Sequence, residues 1–547
     1  MSFPDTLPAM EPLGTGSTPT NSSALPLAGA SPASSSFEEL QTPPDSAKKG
    51  HRQDVDGGIA VQMPYLYSER EKDAWLEDPE MPFNWDKQIK WRVAAWLFLF
   101  TVAVNMNGAG FAPVASAAAA DLKTTRQVLL VGNALYFIAQ GIAPLVLAPL
   151  SESRGRVVIY SISGAMFALF YLPQALAHNA ETWIVTRFIQ GCAGSVVEAN
   201  IGGSLADMFP PSQRGTILSV YVAIGYVGTG IGPVISAAVL PIGWRWQAWL
   251  GMIVASFTAV GLLVFGKETR SSTLYARRQR RKAAAHAEKD PLDKPEVMKA
   301  WYVETLTSLS RPSLYLVAEP IVTCFSIWIG FTFGCIYLIV ESAGIVYSSP
   351  PTQTAGYPPS FEYGYGWSNL ASSAVLLAYV AGAGIGFLAS LHQEHLYQRA
   401  AQRHAGRTVP PEARLYWSAV AGLVFSVACL WYAWSGRTSI HPAVSVIGLS
   451  FVVAAVYPIH YASFAYLSDA YEEYASSALA SQTLIRTITA GCFPLFTDQM
   501  YRGLTPPVAS SVLAAIALVL AVFPFVLLRW GPEIRKKSKR AVRFLDE

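Results

Sequence analysis

Two charged residues lie inside one apolar stretch, residues 183–206, that is long enough to cross a bilayer. Arg187 and Glu198 are 11 residues apart, which on a helix places them about 20° apart around the axis and roughly 16 Å apart along it. They cannot touch, but both can face one cavity. A carboxylate in apolar surroundings can take up and release a proton, and an arginine at this depth needs a partner or a wet cavity. Glu198 could therefore exchange a proton, and a structural ion pair is the alternative.

The composition around this stretch is that of a membrane protein. The 547 residues are 52% hydrophobic and 14% charged, against about 25% charged in a typical soluble domain. The mean hydropathy is +0.31. This excludes a cytosolic enzyme, a nucleic-acid-binding protein and a disordered protein. The net charge of +3 indicates no polyanionic partner, and the five cysteines lie in apolar runs without CxxC spacing. We therefore predict no disulfide framework, no metal site and no cofactor.

Twelve apolar runs reach the length of about 20 residues that crosses hydrocarbon. Ten contain no Asp, Glu, Lys or Arg: 93–120, 128–150, 157–180, 216–244, 246–266, 320–340, 367–391, 416–435, 442–468 and 506–528. The other two, 183–206 and 475–497, contain Arg187 and Arg486. We predict an all-α integral membrane protein with 12 transmembrane helices in two six-helix halves. The predicted parts are a disordered N-terminal segment 1–88, a first half 89–266, a basic central loop 267–312, a second half 313–530 and a tail 531–547.

The distribution of Lys and Arg predicts the orientation. The central loop and the tail hold two basic clusters, at 277–282 and 535–540, whereas the loops of the opposite side hold five basic residues in total. Because cytosolic loops are enriched in Lys and Arg, we expect both termini in the cytosol. Two similar halves around a hydrophilic middle predict a binding site between the halves.

A short turn after the second run combines acidic and basic residues. Glu152, Arg154 and Arg156, with Gly155 between the arginines, could latch two helix ends together, and ordinary positive-inside charge is the alternative. The turn Ala148-Pro-Leu-Ser-Glu-Ser-Arg-Gly-Arg resembles the signature loop of the major facilitator superfamily, in the form found in fungal drug:proton antiporters. Ala148 and Val157 depart from that motif.

Further motifs extend the resemblance over about residues 82–540. The run Arg187-x-x-Gln190-Gly-x-x-Gly resembles a family motif of the fourth helix. The surroundings of Asp469 and Arg486 resemble fungal members, and we expect these two residues to take part in the conformational change. The run Gly228-x-Gly230-x-Gly232-Pro233 resembles the antiporter motif, which in the family accompanies export, although its last glycines are replaced by Ile235 and Ser236. Glycines at this spacing let helices approach closely. We expect the partner to be the eighth run, with Gly382, Gly384 and Gly386.

The resemblance implies that the first, fourth, seventh and tenth helices line a central cavity. The polar and aromatic candidates on them are Asn105, Asn107, Gln190, Asn200, Phe325, Trp328, Tyr337, Tyr457, His460 and Tyr461. Such a mixture suits an amphipathic solute, and helix packing is the alternative for each aromatic residue. For proton coupling the candidates are Arg187, Glu198 and Glu319. The last precedes Pro320 and could instead cap its helix.

These observations predict a transporter that exports an amphipathic small molecule by proton antiport with alternating access. A dedicated exporter or uniporter of one endogenous metabolite is the second hypothesis, and a receptor that binds without transport is the third. The expected partners are a small-molecule substrate, protons and the lipid bilayer, without nucleic acid, and the chain is expected to be a monomer. We expect a multi-pass protein of the cell membrane, with the vacuolar membrane as the alternative.

Overall fold

Long helices make up most of the described chain. The computed structural model describes residues 75, 77–285, 312, 314–349, 352–353, 362–403, 409–471 and 475–538. Most of the predicted disordered segment 1–88 lies outside these residues. Its described end is ordered: Pro82–Asn84 is a 3-10 helix, and Lys90 Nζ donates to Phe83 O at 2.8 Å. The prediction of disorder therefore extends too far, because contacts with the first helix hold this end in place.

The first six predicted runs are helical, and we number them spans 1 to 6. Span 1 comprises Lys87–Ala109 and Ala115–Asp121, span 2 Arg126–Ile142 and Pro144–Arg154, span 3 Arg156–Leu169 and Tyr171–Ala175, span 4 Ala180–Gly194 and Val196–Met208, span 5 Pro211–Val239, and span 6 Arg245–Phe265. Short 3-10 helices, Ala112–Val114 and Leu240–Ile242, lie within span 1 and after span 5.

The second half repeats this pattern after a further helix, Ser271–Ala285, in the predicted central loop. Span 7 is Pro320–Ala343 with the π-helical extension Gly344–Ser348, span 8 Asn369–Ala374, the 3-10 turn Val375–Leu377 and Ala378–Arg403, span 9 Tyr416–Ser435, span 10 Pro442–Tyr471, span 11 Ala475–Leu504, and span 12 Pro506–Leu520 and Phe523–Lys537. The 3-10 helix Pro411–Arg414 precedes span 9. The two-residue strands Thr352–Gln353 and Glu362–Tyr363 pair antiparallel between spans 7 and 8.

Lipid cannot hydrogen-bond to the backbone, so membrane-crossing segments satisfy their own polar groups as helices. Among the described residues, 10 helices are long and apolar enough to cross a membrane. Spans 4 and 11 are the other two, and they contain the charged residues Arg187, Glu198 and Arg486. Span 11 is 30 residues long, or roughly 45 Å. The twelve predicted spans are thus present as helices.

The two halves meet along two pairs of helices. Span 2 packs on span 11, and span 5 packs on span 8. Within the halves, span 5 packs on span 1, span 2 on span 4, span 7 on span 11, and span 10 on spans 8 and 9. Spans 4, 5, 7, 10 and 11 are therefore close enough for their side chains to meet between the halves.

The glycine run of span 5 lies between spans 1 and 8. A Cβ on Gly228 would lie 2.9 Å from Val102 O, and one on Gly232 would lie 2.6 Å from Met106 O. Both glycines therefore allow the backbone of span 1 to approach. Gly230 faces span 8, where a Cβ would lie 2.8 Å from Leu376 O. The glycine run of span 5 thus packs on two helices, the expected span 8 and also span 1.

The glycines of span 8 do not take part in that contact. A Cβ on Gly382 or on Gly386 would collide with span 10, at Ser450 O and at Tyr457 Cβ respectively. For Gly384, no atom lies within 4 Å of the added Cβ. The expectation that two glycine runs pack on each other is wrong, because those of span 8 are occupied by span 10.

Contacts bring the chain segments before span 1, after span 6 and after span 12 to one side, which we call the central-loop side. Lys267 Nζ lies 5.7 Å from the centroid of the Trp85 ring. Ser538 Oγ donates to Glu319 Oε2 at 2.7 Å, and Arg535 at the end of span 12 pairs with Glu412 before span 9 at 3.0 Å. The opposite end of the bundle is called the far side.

Candidate functional site between the halves

A buried ion pair connects the two halves at the centre of the described bundle. Arg486 of span 11 donates to the carboxylate of Glu198 in span 4. The side chains of Arg486 and Glu198 are 4% and 12% exposed. A charge is stable at such a position only when it is paired or solvated, so each residue depends on the other half for its partner.

Aromatic rings surround this pair on the side of the second half. The guanidinium of Arg486 lies 4.6 Å from the centroid of the Phe333 ring, which is a favourable cation–π distance. The ring of His460 lies 5.5 Å from that of Phe333, and Tyr226 of span 5 lies 6.3 Å from His460. The positive charge therefore lies against the Phe333 ring as well as the carboxylate, and further rings follow behind Phe333.

The rings continue across the boundary to span 2. Phe333 lies 5.7 Å from Tyr337, and Tyr337 lies 4.5 Å from Phe137 of span 2. Tyr226 also lies 5.9 Å from Tyr457. We call the residues from six spans that meet here the central cluster: Phe137, Glu198, Tyr226, Phe333, Tyr337, His460 and Arg486.

Polar atoms of the central cluster are left without partners. Within the described chain, no hydrogen-bond partner is found for Tyr226 Oη, His460 Nδ1 or Arg486 Nε, and all three atoms are buried. Burying such a group without a partner costs about 1–3 kcal/mol. The cluster can therefore offer donors and acceptors to a solute or to water, next to a large aromatic surface.

The sequence predicted part of this cluster. Glu198, Tyr337, His460 and Arg486 are predicted site residues that the fold brings together. The sequence analysis missed Phe137, Tyr226 and Phe333. Phe333 precedes Tyr337 by four residues and so shares its helix face, a signal that was available in the sequence. Tyr226 lies in span 5, outside the four helices that the resemblance implied.

Arg187 belongs to a separate polar group within the first half. Its guanidinium donates to Asn107 Oδ1 at 2.8 Å and to Asn107 O at 3.1 Å, and Asn107 Nδ2 donates to Gln190 at 3.3 Å. The ring centroids of Phe111, Trp183 and Tyr136 lie 4.9–5.6 Å from it. Arg187 and Glu198 therefore do not share one cavity lining here, because Arg187 is enclosed by spans 1, 2 and 4.

Two predicted tyrosines connect to neighbouring helices towards the central-loop side. Tyr457 of span 10 lies 2.9 Å from Ser219 Oγ of span 5 and also donates to the Ser219 carbonyl. Tyr461 donates to Glu394 of span 8 at 2.9 Å, and a Cβ on Gly215 of span 5 would collide with this carboxylate. These contacts join the halves on the central-loop side of the central cluster.

Four other candidates have their contacts outside the cluster. Phe325 and Trp328 face span 12, with Phe523 at 4.9 and 6.0 Å between ring centroids, so they pack inside the second half. The Asn200 carbonyl accepts from Arg156 at 3.2 Å. Asn105 donates to the backbone of its own helix at Thr101, at 3.0 Å.

Glu319 lies at the central-loop end of span 7. Its carboxylate accepts from Tyr471 at 3.2 Å and from Ser538 at 2.7 Å. It makes no side-chain capping bond to its helix, contrary to the capping alternative. Its position ties the tail to the ends of spans 7 and 10.

Of the residues predicted to form a latch, Arg156 pairs with a neighbouring helix end. This buried side chain pairs with Asp207 of span 4 at 3.1 Å, and its backbone N–H donates to Glu268 at 3.0 Å. Gly155 has φ +100°, and a Cβ there would collide with Glu268, so glycine is required on both counts. Arg154 is exposed, and the side chain of Glu152 lies outside the described part of the chain.

The second half repeats this latch between spans 9 and 10. Arg414 lies 2.9 Å from Asp469 and 2.9 Å from Glu394. Burial disfavours the charge on Arg414, but Asp469, Tyr397 and the other neighbours outweigh it and hold the pKa of the guanidinium above its usual range. Both halves therefore join the start of their third helix to the end of their fourth on the central-loop side.

On the far side another ion pair joins the halves. Arg126 at the start of span 2 donates to Glu341 near the end of span 7, and neighbouring Gln127 donates to Leu495 O of span 11 at 2.8 Å. The two halves are thus in contact at the centre and on both sides of it.

Among the described residues, no group of three or more His, Cys, Asp or Glu is placed to hold a metal ion.

Known proteins share this architecture. The profile of the Major Facilitator Superfamily matches residues 97–494. The "Major facilitator superfamily multidrug transporter mdrA" of Aspergillus fumigatus is 30% identical over 505 residues, 89% of this chain and 80% of the relative. The "Ascochitine biosynthesis cluster MFS transporter" of Didymella fabae is 30% identical over 481 residues, 85% and 87% of the two chains.

A solved structure agrees on the fold. The partially occluded, inward-open xylose transporter XylE from E. coli superposes with a TM-score of 0.55 at 14% identity, covering 80% of this chain and 98% of XylE. At that identity the likeness concerns the fold alone. The profile match and the fungal relatives cover most of the chain, and this chain therefore belongs to the major facilitator superfamily of membrane transporters.

Proposed function

We propose that this protein is a secondary transporter that exports an amphipathic small molecule in exchange for protons. The observation that carries the proposal is the ion pair of Glu198 and Arg486, which joins the two halves next to the aromatic rings of the central cluster. The names of the fungal relatives, a multidrug transporter and a biosynthesis-cluster transporter, support export of small molecules.

Transport follows from alternating access, in which the two halves rock about a site between them. Ionised Glu198 compensates Arg486 and leaves the aromatic surface of the central cluster for cargo. A proton taken from outside neutralises Glu198 and releases Arg486, whose charge then weakens cargo binding. Loss of that proton on the other side restores the pair and the affinity for cargo, so protons and cargo exchange.

Among the predicted carboxylates, Glu198 suits this role better than Glu319. Glu198 faces a residue of the opposite half, so its protonation acts on the contact that must change during transport. Glu319 accepts hydrogen bonds from Tyr471 and Ser538 and holds the tail. We assign Glu319 to the attachment of the tail.

The proposed orientation places the central-loop side in the cytosol. The helix Ser271–Ala285 carries Arg277, Arg278 and Arg281 there, and cytosolic loops are the ones enriched in basic residues. Both termini are cytosolic in this arrangement, and residues 89–266 and 313–530 form the two rocking halves of a monomer in the cell membrane.

The first experiment identifies the cargo. Small molecules are compared inside and outside cells that lack the gene and cells of the parent strain. One compound class that accumulates inside and disappears from the medium is the cargo of a dedicated exporter. Unchanged secretion with a new sensitivity to unrelated drugs indicates broad-specificity efflux.

The second experiment tests the proton step with that compound in proteoliposomes. Glu198→Gln is expected to abolish uptake driven by a pH gradient while it retains exchange of labelled for unlabelled cargo across equal pH. Glu319→Gln is the matched control and is expected to keep gradient-driven uptake. Normal gradient-driven uptake by Glu198→Gln would remove Glu198 from the mechanism.

A dedicated uniporter is the second candidate, because the incomplete antiporter motif, with Ile235 and Ser236 in place of glycines, permits transport without proton exchange. In that case cargo flux is indifferent to a protonophore. The proton-coupled proposal requires the protonophore to stop accumulation against a cargo gradient.

A further inference from the structure

A groove of about 450 Å³ lies on the central-loop side, away from the central cluster. It runs between the segment that precedes span 1 and the helix Ser271–Ala285. Its lining consists of Pro79, Glu80, Asn84, Trp85, Asp86, Ile89, Lys267, Leu274, Arg277, Arg278 and Arg281. Pockets that hold small ligands have volumes of this order.

The helix turns one face into this groove. Leu274, Arg277, Arg278 and Arg281 follow the i, i+3, i+4, i+7 spacing of a single helix face. With Lys267 the groove has four basic side chains against two acidic ones, Glu80 and Asp86. The lining therefore has an excess of positive charge.

The existing contacts leave much of that charge available. Arg278 pairs with Asp78, which holds the helix against the N-terminal segment. Arg277 lies 3.8 Å from Glu268 and is 45% exposed, so that pair is weak. Arg281 is exposed, and the ammonium group of Lys267 lies over the face of the Trp85 ring.

The groove lies at the end of span 6, which has an exposed apolar face. Span 6 ends at Phe265, two residues before Lys267. Its residues Ile253, Phe257, Val260 and Val264 are all more than half exposed, and their spacing of four, three and four residues places them on one face. An acyl chain can lie along this face while its headgroup reaches the groove.

We propose that the groove binds the headgroup of an anionic phospholipid that carries more than one phosphate, with its acyl chains along the exposed face of span 6. Several guanidinium groups on one face form charge-assisted hydrogen bonds to several phosphates, and basic pockets beside membrane helices bind such headgroups. The site requires neither the cargo nor the proton step proposed above.

The test uses the purified full chain in detergent and counts bound lipid by native mass spectrometry. The probe is phosphatidylinositol 4,5-bisphosphate. The double variant Arg277→Gln/Arg281→Gln is expected to bind it about 25-fold more weakly, which corresponds to about 1 kcal/mol for each basic group. Arg281→Gln alone, which leaves the contact of Arg277 with Glu268 intact, is expected to lose about 5-fold.

The matched control is Arg399→Gln/Arg403→Gln, which removes two exposed arginines at the end of span 8 on the same side. It is expected to bind the lipid as the wild type does. An equal loss in this control would show that bulk charge alone attracts the lipid and would overturn the site.

Two competitors test the source of the phosphate. Soluble inositol trisphosphate that binds as tightly as the lipid would overturn the role of the acyl chains, and phosphatidylserine that binds as tightly would overturn the preference for several phosphates. Weaker binding of both supports the proposal.

Discussion

The stability of variants at Glu198 and Arg486 tests whether the two charges stabilise each other or are merely close. Both side chains are nearly inaccessible, at 12% and 4% exposure. Removing one member of a buried pair costs about 3–5 kcal/mol, because the other charge is left uncompensated. Arg486→Gln isolates the carboxylate, so we expect a loss of about 4 kcal/mol.

The reverse change is expected to cost less. In Glu198→Gln the amide oxygen can still accept from Arg486, and the ring of Phe333 continues to stabilise the guanidinium, by up to about 2 kcal/mol in a dry environment. We therefore expect Glu198→Gln to cost about 2 kcal/mol. The double variant holds no buried charge and is expected to cost about 3 kcal/mol, which gives a coupling of about 3 kcal/mol between the two sites.

The assay is equilibrium unfolding by sodium dodecyl sulfate from dodecyl maltoside micelles, followed by circular dichroism. The control cycle uses the exposed pair of Asp498 and Arg502, whose side chains are 33% and 72% exposed, and its coupling is expected to stay below about 0.5 kcal/mol. Additive losses at Glu198 and Arg486 would refute the reasoning, because they would mean that neither charge depends on the other.

Three further predictions concern the contacts around the central cluster. Gly155→Ala is expected to lower the free energy of unfolding by more than the roughly 1–3 kcal/mol of backbone strain, because the methyl group also meets the Glu268 carboxylate; Gly243→Ala, at φ +136° with free space around it, measures the strain alone in the same unfolding assay. Glu341→Gln is expected to weaken the far-side contact between the halves, seen as faster hydrogen exchange at the start of span 2 by mass spectrometry, and unchanged exchange would show that this ion pair does not hold the halves together. Tyr457→Phe is expected to lower the free energy of unfolding by about 1 kcal/mol and to speed hydrogen exchange around Ser219, on the central-loop side. Faster exchange on the far side instead would contradict the position assigned to this contact.

The spans could be predicted from the sequence because their signal is local. An apolar run of sufficient length is a helix in lipid whatever its neighbours are, and the runs with a single arginine were recognisable by their length. The glycine run of span 5 likewise predicted close packing. Spacing alone does not tell whether the partner is a helix of the same half or one of the other half. Its contact with span 1 therefore had to be read from the fold.

The site was harder to predict because its pairs are distant in sequence. Glu198 and Arg486 are 288 residues apart, and no periodicity connects them. The spacing within one helix placed Glu198 in a common cavity with Arg187 instead. Aromatic residues are also ambiguous. Phe325 and Phe333 are the same residue type in one apolar helix, but because they lie on different faces of span 7, Phe325 packs on span 12 and Phe333 lies in the central cluster.

In the proposed mechanism, the enclosed pair also makes transport sensitive to voltage. In the ionised pair the two charges cancel, so a rocking motion displaces little net charge. Protonation of Glu198 leaves the charge of Arg486 uncompensated, and each elementary charge that crosses the membrane field is worth about 2.3 kcal/mol per 100 mV. An interior-negative potential then draws the proton-loaded carrier inward, and the electrical gradient adds its work to that of the pH gradient even when the cargo is neutral.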